Sequence, residues 1–276
     1  MALNSVNTNV GAQIALQNLQ VTNSELAQVQ SRINTGKKVA SAKDNGAVWA
    51  IAQNQRSEIG ALNAVKDSLQ RGQSATDVAI AAGETVSDLL LQLKEKALSA
   101  TDETLNTAAR DALNEDFKAI RDQITTVVDN AAFNGVNLLD GSQTAGFKAL
   151  SNVSGDTITV ADEDLTLSGS IVTLGGSDEI DTETNASDAL ALIDASISNV
   201  SASLARLGTG SKSLGTHLNF VTKLQDTLEA GVGNLVDADL AKESARLQAL
   251  QTKQQLGVQA LSIANSSTSI LLGLFR

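Results

Sequence analysis

Few residues of the chain have the types and spacing that chemistry requires. His217 is the only histidine among the 276 residues, and the chain contains no cysteine. A catalytic pair or a metal site built from two histidines is therefore excluded, as are thiolate sites and disulfide bonds. His217 stands in a heptad pattern, where we expect a structural residue on the flank of a helix.

Two short motifs resemble ligand-binding motifs, but only loosely. The run Gly208–Ser213 looks like a phosphate-binding loop, but Lys212 is not preceded by glycine and the run interrupts a helical pattern instead of following a strand. The acidic run Asp162–Asp164 could attract a cation, although its spacing differs from that of a calcium loop. The sequence therefore predicts no catalytic residues, no cofactor and no metal, and an enzyme is not expected.

The charge of the chain argues against nucleic acid and membrane partners. Its net charge is −11 and its isoelectric point is near 4.5, whereas binding to phosphate groups requires clustered Lys and Arg. Residues 1–24 and 254–275 carry no charged side chain, but Asn and Gln interrupt both segments. We therefore expect neither a signal peptide nor membrane insertion.

Apolar side chains recur at helical spacing over most of the chain. A first stripe extends to Ile33, where Asn34-Thr35-Gly36 ends the helix, and a second helix begins near residues 41–44 and continues to about Ser99. Its seam repeats every seven residues from Leu62 to Leu93, with Gly72 and Gly83 where another helix is expected to approach closely.

Three further helices are predicted, and a segment without helical periodicity separates the first of them from the other two. One lies before the tight-turn signal Asn134-Gly135; another carries a clear heptad from Leu190 to Val221 and breaks at residues 231–234; the last extends to the C-terminus. Residues 141–185 are rich in Gly, Ser, Thr and Asp, with short β-patterned runs at 157–160, 165–167 and 171–174. Residues 149–199 contain ten acids and no base, which favours a solvated acidic face.

The predicted fold is mainly α: long antiparallel coiled-coil helices, comprising paired N- and C-terminal helices and a helical rod, with a small central β or loop insertion. The outer faces of the first and last helices carry Asn, Gln, Ser and Thr where a soluble monomer would carry charge. Such faces suit burial against other copies, because amides can pair between subunits while buried charges need partners. We therefore expect a self-assembling subunit whose interface includes Leu16, Leu19, Leu26, Val29, Ile33, Leu247, Leu250, Val258, Leu261, Ile270 and Leu271.

Three blocks of sequence occur in the same order as in one known protein family. They are Arg32-Ile-Asn-Thr-Gly-Lys-Lys-Val-Ala-Ser-Ala-Lys-Asp-Asn-Gly-Ala47, Phe133-Asn-Gly-Val-Asn-Leu-Leu-Asp-Gly141, and the C-terminal blocks Leu256–Asn265 and Ile270–Arg276. Together they resemble bacterial flagellins, and the short, acidic, cysteine-free form is similar to alphaproteobacterial members. The resemblance covers nearly all of the chain except about 142–185.

The resemblance implies an arrangement that the spacings do not show. Residues 1–40 and 232–276 would form the inner tube of a flagellar filament, residues 41–140 and 186–231 the outer tube with its β hairpin, and residues 141–185 a surface-exposed variable insertion. It also implies O-glycosylation acceptors in that insertion: Ser142, Thr144, Ser151, Ser154, Thr157, Thr159, Thr166, Ser168, Ser170, Thr173 and Ser177.

The resemblance further implies partners and a location. The chain would be exported unfolded through the flagellar type III apparatus, with an export chaperone, and would function outside the cell. It would polymerise with itself, could share the filament with sibling flagellins, and would contact hook-associated junction and cap proteins. Two alternatives remain at this point: a hook–filament junction protein and a cytoplasmic coiled-coil scaffold.

Overall fold

The computed structural model describes residues 8–273, including the side chains of residues 8–266. Long helices dominate and two small hairpins lie between them, in accordance with the predicted fold class. The elements in order are α1 (Val10–Thr35), α2 (Gly46–Ala100), α3 (Thr107–Asp129), β1 (Ala132–Phe133), β2 (Val136–Asn137), β3 (Phe147–Leu150), β4 (Thr157–Val160), α4 (Glu183–Val236) and α5 (Leu240–Gly273). None of the described helices combines the length and apolarity needed to cross a membrane.

By contacts within the chain, two compact units are formed. Of the described residues, the terminal unit comprises 8–57 and 227–273, and the central unit comprises 58–226. The boundaries expected from the sequence, near residues 40 and 232, concern the inner and outer tubes of an assembly and remain a prediction about that assembly.

In the central unit, α2 and α4 lie antiparallel. Three polar contacts mark their register: Asn63 with Gln225 at 2.9 Å, Asp77 with Ser211 at 2.9 Å, and Lys94 with Asp194 at 2.6 Å. Each step along α2 is matched by an equal step back along α4. The seam predicted from the heptad repeat is buried, and Leu69, Leu90 and Leu93 are fully enclosed.

The two glycines in that seam have different neighbours. A Cβ atom added at Gly83 would lie 2.7 Å from Leu204 Cδ2 of α4, so a helix does approach closely there. A Cβ atom at Gly72 would lie 2.7 Å from Phe147 Cε1, on strand β3. The expectation of a helix at Gly72 is wrong, because a small residue in a seam indicates close approach but not the type of the approaching element.

Helix α3 packs through Phe117 and Ile124, both fully buried, and is followed by the β1–β2 hairpin. Asn134 (φ 51°) and Gly135 (φ 80°) both adopt the left-handed region, which matches the right-handed twist of a two-residue hairpin. The turn predicted from the Asn-Gly pair is confirmed.

Residues 141–185 belong to the central unit and contain one hairpin, β3–β4. The strand expected at Thr157–Val160 is present, but those expected at 165–167 and 171–174 are wrong, because both segments are irregular. Asp164 accepts hydrogen bonds from the Thr166 N–H and hydroxyl groups, and Ser168 has a φ of 63°, so the chain turns where a strand was expected. The apolar side chains of these segments, including Leu165 and Leu174, are nevertheless fully buried.

The break expected at residues 231–234 is also wrong, because α4 continues to Val236. Gly231 and Gly233 lower the stability of the helix, but Val236 is buried (1% exposed), and its packing outweighs that cost. The helix ends where residues 36–39 pair with it: the Lys38 N–H group donates to Val236 O at 2.7 Å, and the Ala238 N–H group donates to Gly36 O at 2.9 Å. The run Gly208–Ser213 likewise lies inside α4 and does not interrupt it.

Candidate assembly surface

Helices α1 and α5 form an antiparallel pair, which we call the terminal pair. The Asn9 side chain caps α1 by accepting a hydrogen bond from the Ala12 N–H group at 2.9 Å, and Gly36 ends the helix in the left-handed region (φ 68°). Asp239 begins α5, because its Oδ1 atom accepts from the Ala241 and Lys242 N–H groups at 3.1 Å.

Polar contacts at three levels fix the register of the terminal pair. Asn9 Nδ2 donates to Ala264 O at 2.8 Å, Gln254 Nε2 donates to Asn23 Oδ1 at 2.7 Å, and Arg32 Nη1 lies 3.1 Å from Glu243 Oε1. The first two contacts are hydrogen bonds from side-chain amides, and the third is an ion pair. The ion pair lies outside the uncharged segments 1–24 and 254–275. The pairing of the first and last helices that the sequence predicted is therefore confirmed.

The seam between the two helices contains part of the predicted interface. Val29 (1% exposed) and Leu250 (5% exposed) are buried, and Leu19 lies close to Gly257, where an added Cβ atom would be 3.3 Å from its Cδ1. The predicted residues that are half-buried in the terminal unit are Leu19, Leu26, Ile33, Leu247 and Leu261. Leu16 and Val258 are exposed, and the side chains of Ile270 and Leu271 lie outside the described residues.

Both helices carry further apolar side chains that the partner helix does not cover. Val10, Ile14 and Val21 of α1 are 54%, 54% and 55% exposed, and Leu256 and Ile263 of α5 are 61% and 66% exposed. The predicted interface omits these five residues, although spacings of four and seven on one helix are themselves a signal of a second stripe. We call Val10, Ile14 and Val21 the α1 stripe, and Leu256 and Ile263 the α5 stripe.

The segment that joins α1 to α2 is held by its own hydrogen bonds. Asp44 Oδ2 accepts from the N–H groups of Ala40 and Ser41, at 3.0 and 2.9 Å, and from the Ser41 hydroxyl at 3.1 Å. The hydrogen bonds from Ser41 hold the pKa of Asp44 below its ordinary value. This turn begins α2 at Gly46, slightly later than the sequence indicated.

The residues that looked chemical have structural roles. His217 Nε2 lies 2.6 Å from the Ser151 carbonyl oxygen, which can only accept, so that nitrogen carries the proton. The Gly208–Ser213 run forms helical backbone, which occupies the N–H groups that a phosphate would need. Among the described residues no group of three or more His, Asp or Glu side chains could hold a metal ion.

The acidic run at 162–164 does not form a uniformly solvated face. Glu163 is 3% exposed; it accepts from the Ser203 hydroxyl at 2.7 Å, from Arg206 Nε at 2.7 Å and from Arg206 Nη2. Burial, together with the neighbouring Asp140 and Asp164 carboxylates, raises the pKa of Asp162. Glu163 thus meets a base from α4, and the expectation of an acidic solvated face is wrong for Glu163.

The hydroxyl groups proposed as glycan acceptors differ in accessibility. Ser151, Thr166 and Thr173 are half-buried, and the Thr173 hydroxyl lies 3.2 Å from both Leu192 O and Ser196 Oγ. The exposed members are Ser142, Thr144, Ser154, Thr157, Thr159, Ser168, Ser170 and Ser177.

Comparison with known proteins identifies the family. Residues 6–144 match the bacterial flagellin N-terminal helical region, and residues 190–275 match the bacterial flagellin C-terminal helical region. The chain is 60% identical to flagellin FljM of Caulobacter vibrioides over 276 residues, covering all of both chains, and 38% identical to a flagellin of Brucella melitensis, covering 99% of each. The chain belongs to the bacterial flagellin family, a family of structural proteins that form filaments.

One solved structure extends the likeness in fold. A putative flagellar hook-associated protein from Vibrio parahaemolyticus matches with a TM-score of 0.55 at 16% identity, covering 70% of this chain and all of that one. At that identity the match concerns the fold alone. The relatives with full-length similarity carry the name flagellin, which favours a filament subunit over a hook–filament junction protein.

Proposed function

We propose that this flagellin polymerises with copies of itself into the flagellar filament through the terminal pair. The observation that carries the proposal is that both helices of the pair keep large apolar side chains more than half exposed after they have packed on each other. Large exposed apolar side chains that recur on one side of a helix favour a protein–protein contact there. Contacts between different surfaces of identical subunits need not close and then produce an open filament.

The chemistry of the terminal pair supports burial inside an assembly. Residues 1–24 and 254–275 have no charged side chain, so covering them desolvates no ion. Their amides can pair between chains as Gln254 and Asn23 pair within the chain. The seam residues predicted as interface, such as Leu247 and Leu261, would then set the shape of the surface that neighbouring copies meet.

The remaining roles follow from the family and are part of the proposal. The subunit would leave the cell through the flagellar export apparatus with a chaperone, and its filament would lie outside the cell between hook-associated junction proteins and a cap. Residues 141–185 would lie on the outer surface of the filament, with their exposed hydroxyl groups available for O-linked sugars. Sibling flagellins of similar sequence could enter the same filament.

A pair of variants at one exposed position tests the proposal. Leu256→Asp introduces an unpaired carboxylate into the covered surface and should prevent polymerisation, because an isolated buried charge costs several kcal/mol in every subunit. Leu256→Met keeps an apolar side chain of similar volume and should polymerise normally. Polymerisation is measured by electron microscopy and sedimentation, and circular dichroism of the monomer checks that the central unit remains folded.

Normal filaments from Leu256→Asp would contradict the proposal. Fractionation of cells that express the protein separates the filament from the scaffold alternative. A filament subunit is abundant in the material sheared from the cell surface, whereas a cytoplasmic scaffold stays with the cells.

A further inference from the structure

The two stripes of the terminal pair face away from the seam between α1 and α5. At 3.6 residues per turn, Val10, Ile14 and Val21 lie within about 40° of one another on α1. They stand about 120–180° around the helix from Leu19 and Leu26, which are half-buried in the terminal pair. Leu256 and Ile263 are seven residues apart and lie on one side of α5, roughly opposite the buried Leu250. Each helix therefore has one apolar side that its partner covers and a second that it leaves open.

The two stripes also lie at the same level along the pair. The Asn9–Ala264 contact stands at one end of this level and the Asn23–Gln254 contact at the other. Val10, Ile14 and Val21 fall between Asn9 and Asn23, and Leu256 and Ile263 fall between Gln254 and Ala264. A copy placed beside another in the same orientation and at a similar height can therefore bring the α1 stripe of one against the α5 stripe of the next.

The alternative contacts are less compatible with an open polymer. A stripe that met its own copy would do so about a two-fold axis, which pairs subunits and leaves nothing to propagate. Contact between two different stripes leaves one free α1 stripe and one free α5 stripe at the ends of every growing polymer, so further subunits can add. The antiparallel direction of α1 and α5 within one chain would then be repeated between chains.

We propose that the α1 stripe of one subunit packs against the α5 stripe of a neighbouring copy, so that an α1–α5 contact alternates within and between subunits. This inference rests on the proposed function and adds which surface meets which. Both stripes lie in uncharged segments, so the contact desolvates apolar side chains and neutral amides only.

Disulfide trapping tests the pairing cleanly, because the natural chain contains no cysteine. Ile14→Cys is placed in the α1 stripe, and Leu256→Cys and Ile263→Cys are placed separately in the α5 stripe. Filaments grown from an equal mixture of an α1-stripe variant and an α5-stripe variant are oxidised and analysed on non-reducing gels. A disulfide requires Cα atoms about 4.4–6.8 Å apart, so a dimer band reports direct contact between stripes.

The expected result is a disulfide dimer in at least one of the two mixtures and no dimer in filaments of any single variant. Gln20→Cys is the control, because Gln20 is exposed on α1 but lies outside the stripe; its mixtures with the α5-stripe variants should give no dimer. Filaments that form normally in both stripe mixtures without a dimer band would overturn the pairing and leave the proposed function intact. Equal dimer formation in single-variant filaments would also overturn it. Failure of the unaltered chain to form filaments would overturn the proposed function and the pairing together.

Discussion

Removal of the Arg206 guanidinium would leave the buried Glu163 carboxylate with one side-chain partner. Glu163 is 3% exposed, and without Arg206 only the Ser203 hydroxyl, at 2.7 Å, would remain as a side-chain donor. The Glu163 N–H group donates to Leu138 O at 2.8 Å, and its carboxylate accepts from Ser203 and Arg206, so Glu163 joins the insertion to the segment after β2 and to α4. We therefore expect Arg206→Ala to destabilise the central unit.

The size of the effect follows from the burial of each partner. Breaking a buried ion pair by removing one partner costs about 3–5 kcal/mol. The Arg206 side chain is 55% exposed, so water can enter the vacated space and partly solvate the carboxylate. We therefore expect Arg206→Ala to lower the free energy of unfolding of the central unit by roughly 2–3 kcal/mol. At about 2–4 °C per kcal/mol for a unit of this size, the Tm should fall by about 4–12 °C.

Thermal unfolding of the full-length monomer, followed by circular dichroism, measures this loss. The double variant Glu163→Met with Arg206→Met removes both charges, and we expect its stability within about 1 kcal/mol of the natural chain. Ser203→Ala should cost about 1 kcal/mol, because Glu163 keeps both Arg206 hydrogen bonds. A Tm for Arg206→Ala within error of the natural chain would refute the reasoning, and so would a double variant less stable than the single one.

Three further predictions concern the central unit. Asp162→Asn should stabilise the protein at neutral pH: the raised pKa means that ionised Asp162 opposes folding above that pKa, so the gain should shrink as pH falls, which a Tm series against pH checks. Gly146→Ala should destabilise the protein by at least about 1–2 kcal/mol, because Gly146 has a φ of 68° and an added Cβ atom would clash with Val160 O. Gly60→Ala, at an open position of α2, should instead stabilise the protein by about 0.5–1 kcal/mol. Urea unfolding of the two variants measures both changes. O-linked sugars on the exposed hydroxyl groups of residues 141–185 should raise the mass of native filament protein above 28.5 kDa, and an intact mass equal to that of the bare chain would exclude them.

Local periodicity predicted the long elements because the same residues that repeat are those that become buried. The seam from Leu62 to Leu93 follows the heptad repeat over more than half of α2, and the Asn134-Gly135 turn is fixed by backbone conformation alone. Such features depend on neighbours a few residues apart. A single sequence therefore contains most of the information that they need.

The missed features depend on contacts between distant parts of the chain. Glu163 stands in an acidic run, and nothing local distinguishes it from Asp162 or Asp164; its burial depends on Arg206, more than 40 residues away. The end of α4 at Val236 likewise depends on its pairing with residues near Lys38. The predicted interface names one apolar side of α1 and of α5, and only the contacts between these helices show that this side is mostly covered within the chain, which leaves the stripes as the open side.

A filament reconstruction that resolves side chains tests the central claim most directly, through the exposure of the α1 and α5 stripes in the assembled state. These side chains are 54–66% exposed in the single chain. Our account predicts that neighbouring copies bury them in the filament, with carbon atoms of Ile14 and of Leu256 or Ile263 from different subunits within about 4.5 Å. Stripes that face open solvent in the filament would contradict it, as would terminal pairs that contact no other copy.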